Sequence, residues 1–251
     1  MVNGISNRNG RALEFSITSL LSSLDNSQLT LKASADLRRD KDKFDSLPIE
    51  LQGKYLAAST KIVEWINASF SNGEVIIDKS NDDDSGSWDI QISSAIKTIK
   101  LSIKHNHTAL KHPRPYSLAQ SCGYKKGSPE DVVHRNQLRK IARDYRESAA
   151  GQIRFNENSQ LLHTLLANVS RACSRSLDNW LELDTSIASK LFDFMVAKNY
   201  YQVVVFTRGG LSVTLYDYSS IETPSSLNIS SDNHYLNMKF DNSWVLSARI
   251  H

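Results

Sequence analysis

The chain has 251 residues, 40% of them hydrophobic and 23% charged, enough apolar side chain to fill a core and too ordinary a charge content for wholesale disorder. No run of about 18 uninterrupted apolar residues occurs, which argues against a membrane span, and two cysteines, Cys122 and Cys173, cannot build a disulfide framework or a four-cysteine zinc site. The net charge of +3 conceals an asymmetry: from Lys97 to Arg146 twelve Lys/Arg stand against Glu130, Asp131 and Asp144, a local charge of +9, while the remainder holds 18 basic and 24 acidic residues, net −6. A basic block in an otherwise acidic chain is a candidate footprint for a phosphate backbone, or equally a solvated lysine-rich face. The polar stretch from Met1 to Gly10 lacks the apolar segment of a secretory signal, so a soluble cytoplasmic protein is expected.

The elements follow in chain order. Leu13, Ile17, Leu20, Leu21 and Leu24 recur at helical spacing and predict a helix from Asn9 to Leu24. The charged segment Asp36 to Asp45 reads as a helix with a mostly wet surface. Ser46-Leu47-Pro48 starts the next helix, whose stripe is Leu51, Tyr55, Ile62, Ile66 and Phe70. Glu74 to Asp78 is a short strand, and Asp82, Asp83 and Asp84 fall in a polar loop. Two alternating strands come next, Trp88–Ser93 and Thr98–Lys104, turned at Ser94-Ala95-Ile96-Lys97. Helical patterns return at Pro129–Ser148, Glu157–Asn179 and Ser186–Lys198. The end is β-rich, with strands at Tyr200–Thr207, Leu211–Tyr218, Tyr235–Phe240 and Trp244–Ile250. No linker is evident. The expectation is one mixed α/β domain over residues 1–251, with a helical part (1–72), a hairpin and basic segment (73–150), and helices with a β-rich end (151–251).

Chemistry concentrates between Asp89 and Lys104. Asp89 opens one strand and Ser102-Ile103-Lys104 closes the next, so pairing brings a carboxylate and an ammonium to one face at one end of the sheet. A carboxylate holds a divalent cation, usually magnesium, through hard oxygen ligands, and a lysine stabilises developing charge or orients a water. The spacing resembles the PD-(D/E)xK nuclease motif, with Ser102 where the second acid usually stands. Glu14 in the first helix is the leading candidate for the missing acid; Glu64 and Glu74 are alternatives.

The run Leu101-Ser-Ile-Lys-His-Asn-His-Thr-Ala-Leu-Lys-His-Pro-Arg-Pro115 resembles the signature segment of the HaeIII-type family of type II restriction endonucleases, and Asn9-Gly-Arg-Ala-Leu-Glu14 is similar to that family's N-terminal helix. The likeness covers roughly residues 86 to 124 and this helix. It implies a PD-(D/E)xK-like central mixed sheet flanked by helices and a magnesium-dependent, sequence-specific cut of double-stranded DNA, with GGCC a reasonable target. It also implies a homodimer matched to a palindromic site and a protecting methyltransferase as genetic neighbour. Carried over by position, Asp89 and Glu14 would be metal ligands, Lys104 the catalytic lysine, and Ser102 a hydrogen-bonding partner of water or phosphate. His105, Asn106, His107, Lys111, His112 and Arg114 would contact phosphates or base edges. The substituted second acid keeps two alternatives open: a non-catalytic or weakly nicking DNA-binding protein, and a repair or RNA-processing nuclease on the same fold.

Other features read more plainly. His105-Asn106-His107 is contiguous and so is not an HNH motif, and zinc binding by these histidines with His112 lacks a fourth ligand. Arg135, Arg139, Arg143 and Arg146 form one helix stripe that either tracks a DNA strand or is salt-bridged to its own helix. The cysteines are expected to be buried thiols, and Tyr200 to Tyr218 a core hairpin rather than a base-stacking platform.

Overall fold

The structure, a computed structural model, describes residues 2–70, 73–80, 88–149, 159–196 and 199–250. In chain order the elements are α1 (Val2–Ser22), β1 (Ser27–Leu29), α2 (Leu31–Asp45), α3 (Ile49–Ser69), β2 (Val75–Lys79), β3 (Ile90–Ser93) and β4 (Thr98–His105). A 3₁₀ turn (Pro115–Ser117) leads to α4 (Leu118–Ser121), α5 (Pro129–Ser148), α6 (Ser159–Leu183) and α7 (Ile187–Val196). The strands β5 (Tyr201–Phe206), β6 (Ser212–Asp217), β7 (Leu227–Asp232), β8 (Tyr235–Phe240) and β9 (Val245–Arg249) complete a mixed α/β fold.

The sequence suggests one domain in three consecutive parts, whereas the chain divides into two compact units, each built from two separated segments. One is Met1–Ala109 with Ala197–Ile221; the other is Leu110–Val196 with Glu222–His251. The β-rich end is therefore shared: β5 and β6 belong to the first unit, and β7, β8 and β9 to the second.

The first unit is a six-stranded sheet in the order β1-β2-β3-β4-β5-β6. β2, β3 and β4 run antiparallel, β5 lies parallel to β4, and β6 returns antiparallel to β5. Parallel neighbours cannot be joined by a tight turn, and the segment between β4 and β5 contains all of α4 to α7. One face of the sheet is covered by α1 and α3. Leu13, Ile17 and Leu21 of α1 and Tyr55, Ile62 and Ile66 of α3 bury against Ile77, Ile92, Ile99, Leu101, Val203 and Val205. Thr30 caps α2, its Oγ1 accepting from the Ala33 N–H at 3.1 Å, so the helix starts earlier than its charge pattern suggests. The mostly wet surface expected there is corrected at Asp36 and Asp40, which are buried; Arg39 and Lys43 bracket the Asp40 carboxylate at 2.9 and 2.6 Å.

In the second unit α5 begins where the sequence predicts, with Pro129 in the first turn and Ser128 Oγ accepting from the Asp131 N–H at 3.3 Å. α5 packs on α6, and α6 packs on the antiparallel sheet β7-β8-β9. His134 is a fully buried link: one ring nitrogen lies 2.8 Å from Ser176 Oγ and the other 2.8 Å from the Pro115 carbonyl. Burial lowers its pKa, so the neutral ring is the stable form. Both cysteines are buried, as expected. Among the described residues no helix is long and apolar enough to cross a membrane.

Candidate active site

The hairpin β3–β4 sets the geometry. Its register pairs Ile90 with Leu101 and Ile92 with Ile99, placing these apolar residues on the face that α1 and α3 cover. Gln91 and Lys100 pair on the opposite face. The paired register ends at Ile90 and Leu101, and Asp89, just before β3, departs from it; on β4, Ser102 and Lys104 share the face that Lys100 occupies. Asp89 is fixed from both sides. Its N–H donates to the Leu101 carbonyl at 2.6 Å, and its own carbonyl accepts from Ser80 at 3.3 Å. Its carboxylate Oδ2 accepts from the Ile103 N–H at 2.6 Å and lies 3.5 Å from Ser102 Oγ. The side chain thus occupies the place of the ladder acceptor that β3 no longer provides and leans over β4 toward Ser102. Lys104 is partly exposed, and its ammonium enters no ion pair or hydrogen bond among the described residues.

Glu14 reaches the same end of the sheet from α1. Its Oε2 accepts from Lys79 Nζ at 2.5 Å, with Arg11 Nη1 at 3.7 Å. Burial pushes its carboxyl pKa up, the Lys79 ammonium pulls it back, and the nearby negative charge of Asp89 raises it again. Glu14 and Asp89 therefore feel one another, although each has its own hydrogen-bond partners. The other two candidate acids do not pack here. Glu64 sits exposed on α3, and Glu74 is exposed just before β2.

Lys79 was missed in the sequence because the strand reading stopped at Asp78. The signal was present: Val75, Ile77 and Lys79 occupy the buried phase of β2, and a lysine in that phase, here only 4% exposed, has to find a buried anion. Two more neighbours were missed. Gln202 pairs with Ser102 across the parallel β4–β5 ladder and is buried. Burial, then Tyr218 and the Asp89 charge, raises the phenol pKa of Tyr200 and keeps it protonated.

Magnesium favours an all-oxygen donor set and retains several waters, so one or two protein carboxylates suffice. Asp89 Oδ1 accepts no bond from a described residue; Glu14 is within electrostatic reach from the face that α1 covers, whereas the Ser102 hydroxyl and the Gln202 amide belong to the opposite face of β4 and β5. These donors fit a hard cation, while no group of three or more His, Cys, Asp or Glu able to hold a metal occurs among the described residues. The run Asp82, Asp83 and Asp84 lies outside the described residues.

The signature segment following Lys104 divides between the units. In the first, His105 packs edge-on against Tyr55, ring centroids 5.3 Å apart, and lies 3.1 Å from Thr207 Oγ1. Burial lowers its pKa, helped by His107 and Arg208. Asn106 adopts a left-handed φ of 59°, its N–H donates to the Val205 carbonyl at 2.9 Å, and its Oδ1 accepts from the Thr207 N–H at 2.8 Å. It thereby fastens the end of β4 to that of β5. Asn106→Ala loses this acceptor and places alanine in a backbone conformation it disfavours, so a loss of about 1–3 kcal/mol in denaturant unfolding is expected. Asn106→Gly should restore only the backbone part. Unchanged stability in both variants would leave Asn106 without this structural role.

His107 is exposed, its Nδ1 accepting from the Ala109 N–H at 3.3 Å. In the second unit, Lys111 lies over the Phe194 ring at 4.3 Å and burial lowers its pKa, while His112 and Arg114 are exposed. The arginine stripe of α5 is broken at its first member. Arg135 Nε donates to Asp131 Oδ1 at 2.7 Å and Arg135 Nη2 to Gln120 at 3.2 Å, and Asp131 is 1% exposed. Arg139, Arg143 and Arg146 remain exposed.

Compared with known protein families, with curated proteins and with solved structures, the chain matches none.

Proposed function

We propose that this protein is a type II restriction endonuclease that hydrolyses phosphodiester bonds of double-stranded DNA with magnesium at a specific sequence. The observation that supports the reading is the β3–β4 hairpin, at whose end the Asp89 carboxylate lies 3.5 Å from Ser102 Oγ, with Lys104 two residues further along β4. The resemblance of Leu101–Pro115 to the HaeIII-type signature and the basic block from Lys97 to Arg146 support it.

In this reading Asp89 and Glu14 would hold the magnesium ion. The chemistry that bound magnesium supplies is polarisation of the scissile phosphate and acidification of a water. Lys104, unpaired within the described residues, places its ammonium against the developing negative charge. The Ile103 N–H and Ser102 Oγ hold the Asp89 carboxylate in orientation, so it need not reorganise as charge builds. The exposed cations Lys125, Lys126, Arg139, Lys140, Arg143 and Arg146 supply backbone attraction. A homodimer suits a palindromic site, and a cytoplasmic protein with a methyltransferase neighbour suits restriction.

The test is incubation of plasmid DNA with the protein and magnesium. A discrete fragment ladder, absent with EDTA and first compared with a GGCC digest, is the expected result. A smear, or cleavage of RNA in preference to duplex DNA, would replace specific restriction with another nuclease activity. A second reading, duplex binding without cleavage, draws on the substituted Ser102, 2% exposed and turned toward Asp89. Salt-sensitive binding with no cut in magnesium or manganese would favour it.

A further inference from the structure

The row across the sheet at Ser102 is unusual in its polar members. The Asp89 carboxylate lies 3.5 Å from Ser102 Oγ on one side, and Gln202 is paired with Ser102 on the other. Adjacent strands lie about 4.8 Å apart, so the three side chains are consecutive neighbours. Gln202 is the one amide side chain of Tyr201–Phe206, next to three valines, and it is 1% exposed. A leucine or valine would fit this strand without the cost of burying an amide. Nor is the amide firmly held: its oxygen accepts from Tyr218 Oη at 3.3 Å and its nitrogen donates to the Ala109 carbonyl at 3.5 Å, both at the long limit for such bonds. Between this loosely tethered amide and the Asp89 carboxylate stands the small Ser102.

We propose that Gln202 is the oxygen donor that takes over the role of the acid absent at Ser102, its amide oxygen joining Asp89 in binding the divalent cation. This rests on the nuclease reading above. A neutral amide oxygen is a hard donor but contributes no charge, so the site binds its cation more weakly than a two-carboxylate site and depends more on substrate phosphate for the remaining ligands.

The test is manganese binding by the DNA-free protein, measured by calorimetry for wild type, Gln202→Leu, Gln202→Glu and Asp89→Asn, with thermal melts to establish folding. Gln202→Leu is expected to weaken manganese binding by roughly 10-fold or more, Gln202→Glu to tighten it by a similar factor, and Asp89→Asn to weaken it most. If Gln202→Leu and Gln202→Glu both bind manganese as wild type does while Asp89→Asn does not, Gln202 is not a ligand and the nuclease reading stands. Should Gln202→Leu not fold, the Gln202→Glu titration decides, because an unchanged affinity there also overturns the assignment. A wild-type protein that neither binds manganese nor cuts DNA removes both the ligand and the nuclease.

Discussion

Lys104→Ala is expected to reduce DNA cleavage by about 10²–10³-fold or more while leaving duplex binding intact. Two observations separate these effects. Lys104 has no ion-pair or hydrogen-bond partner among the described residues and is partly exposed, so its removal breaks no internal contact. Many other basic residues remain to bind phosphates, so losing one reduces the salt slope of binding by about 1 and leaves specificity unchanged. The measurement is single-turnover cleavage alongside a binding titration. Lys104→Arg is not expected to rescue, because a planar guanidinium on a longer stem presents its charge differently. A Lys104→Ala protein cutting at the wild-type rate would remove the site assignment from this hairpin altogether.

Lys79→Met is expected to be among the most destabilising single substitutions in the first unit. It leaves Glu14, buried and 2.5 Å from the vanished ammonium, with only Arg11 at 3.7 Å as a cation. Breaking a buried pair at one partner costs roughly 3–5 kcal/mol, because the surviving charge stays desolvated. The double variant Lys79→Met with Glu14→Gln should recover much of that loss, since replacing both partners removes the stranded charge. Chemical denaturation of the two single variants and the double gives the coupling directly. Additive losses would show that Lys79 and Glu14 do not act as a pair.

The parts of this molecule that were legible in sequence are those set by local periodicity. The alternation of Ile90 and Ile92 against Ile99 and Leu101 gave the hairpin and its register, while Asp89, just before β3, falls outside it. The helical pattern read over Pro129–Ser148 coincides with α5 at both ends. What stayed hidden depends on pairing between distant segments. β1 is three residues long and alternates too briefly to be seen, and β7 reads as a polar loop because its exposed face carries Asn228, Ser230 and Asp232. Gln202 could not be joined to Ser102 because a parallel partner is chosen by the tertiary fold, not by the residues beside it. Lys79 was hidden by a boundary one residue short. The division of the signature segment between two units, at Ala109 and Leu110, has no local mark at all.

The interleaved path of the chain bears on how the protein is made. β4 emerges from the ribosome long before β5, its neighbour in the sheet, because all of Leu110–Val196 is translated between them. Until then one edge of the hairpin has no strand to pair with, and closing it demands a contact of high sequence separation, which slows folding and leaves the nascent sheet open to wrong partners. A chain cut short after Val196 would carry Asp89 and Lys104 but neither Gln202 nor the Thr207 anchor, so the surroundings of Ser102 are finished late in synthesis.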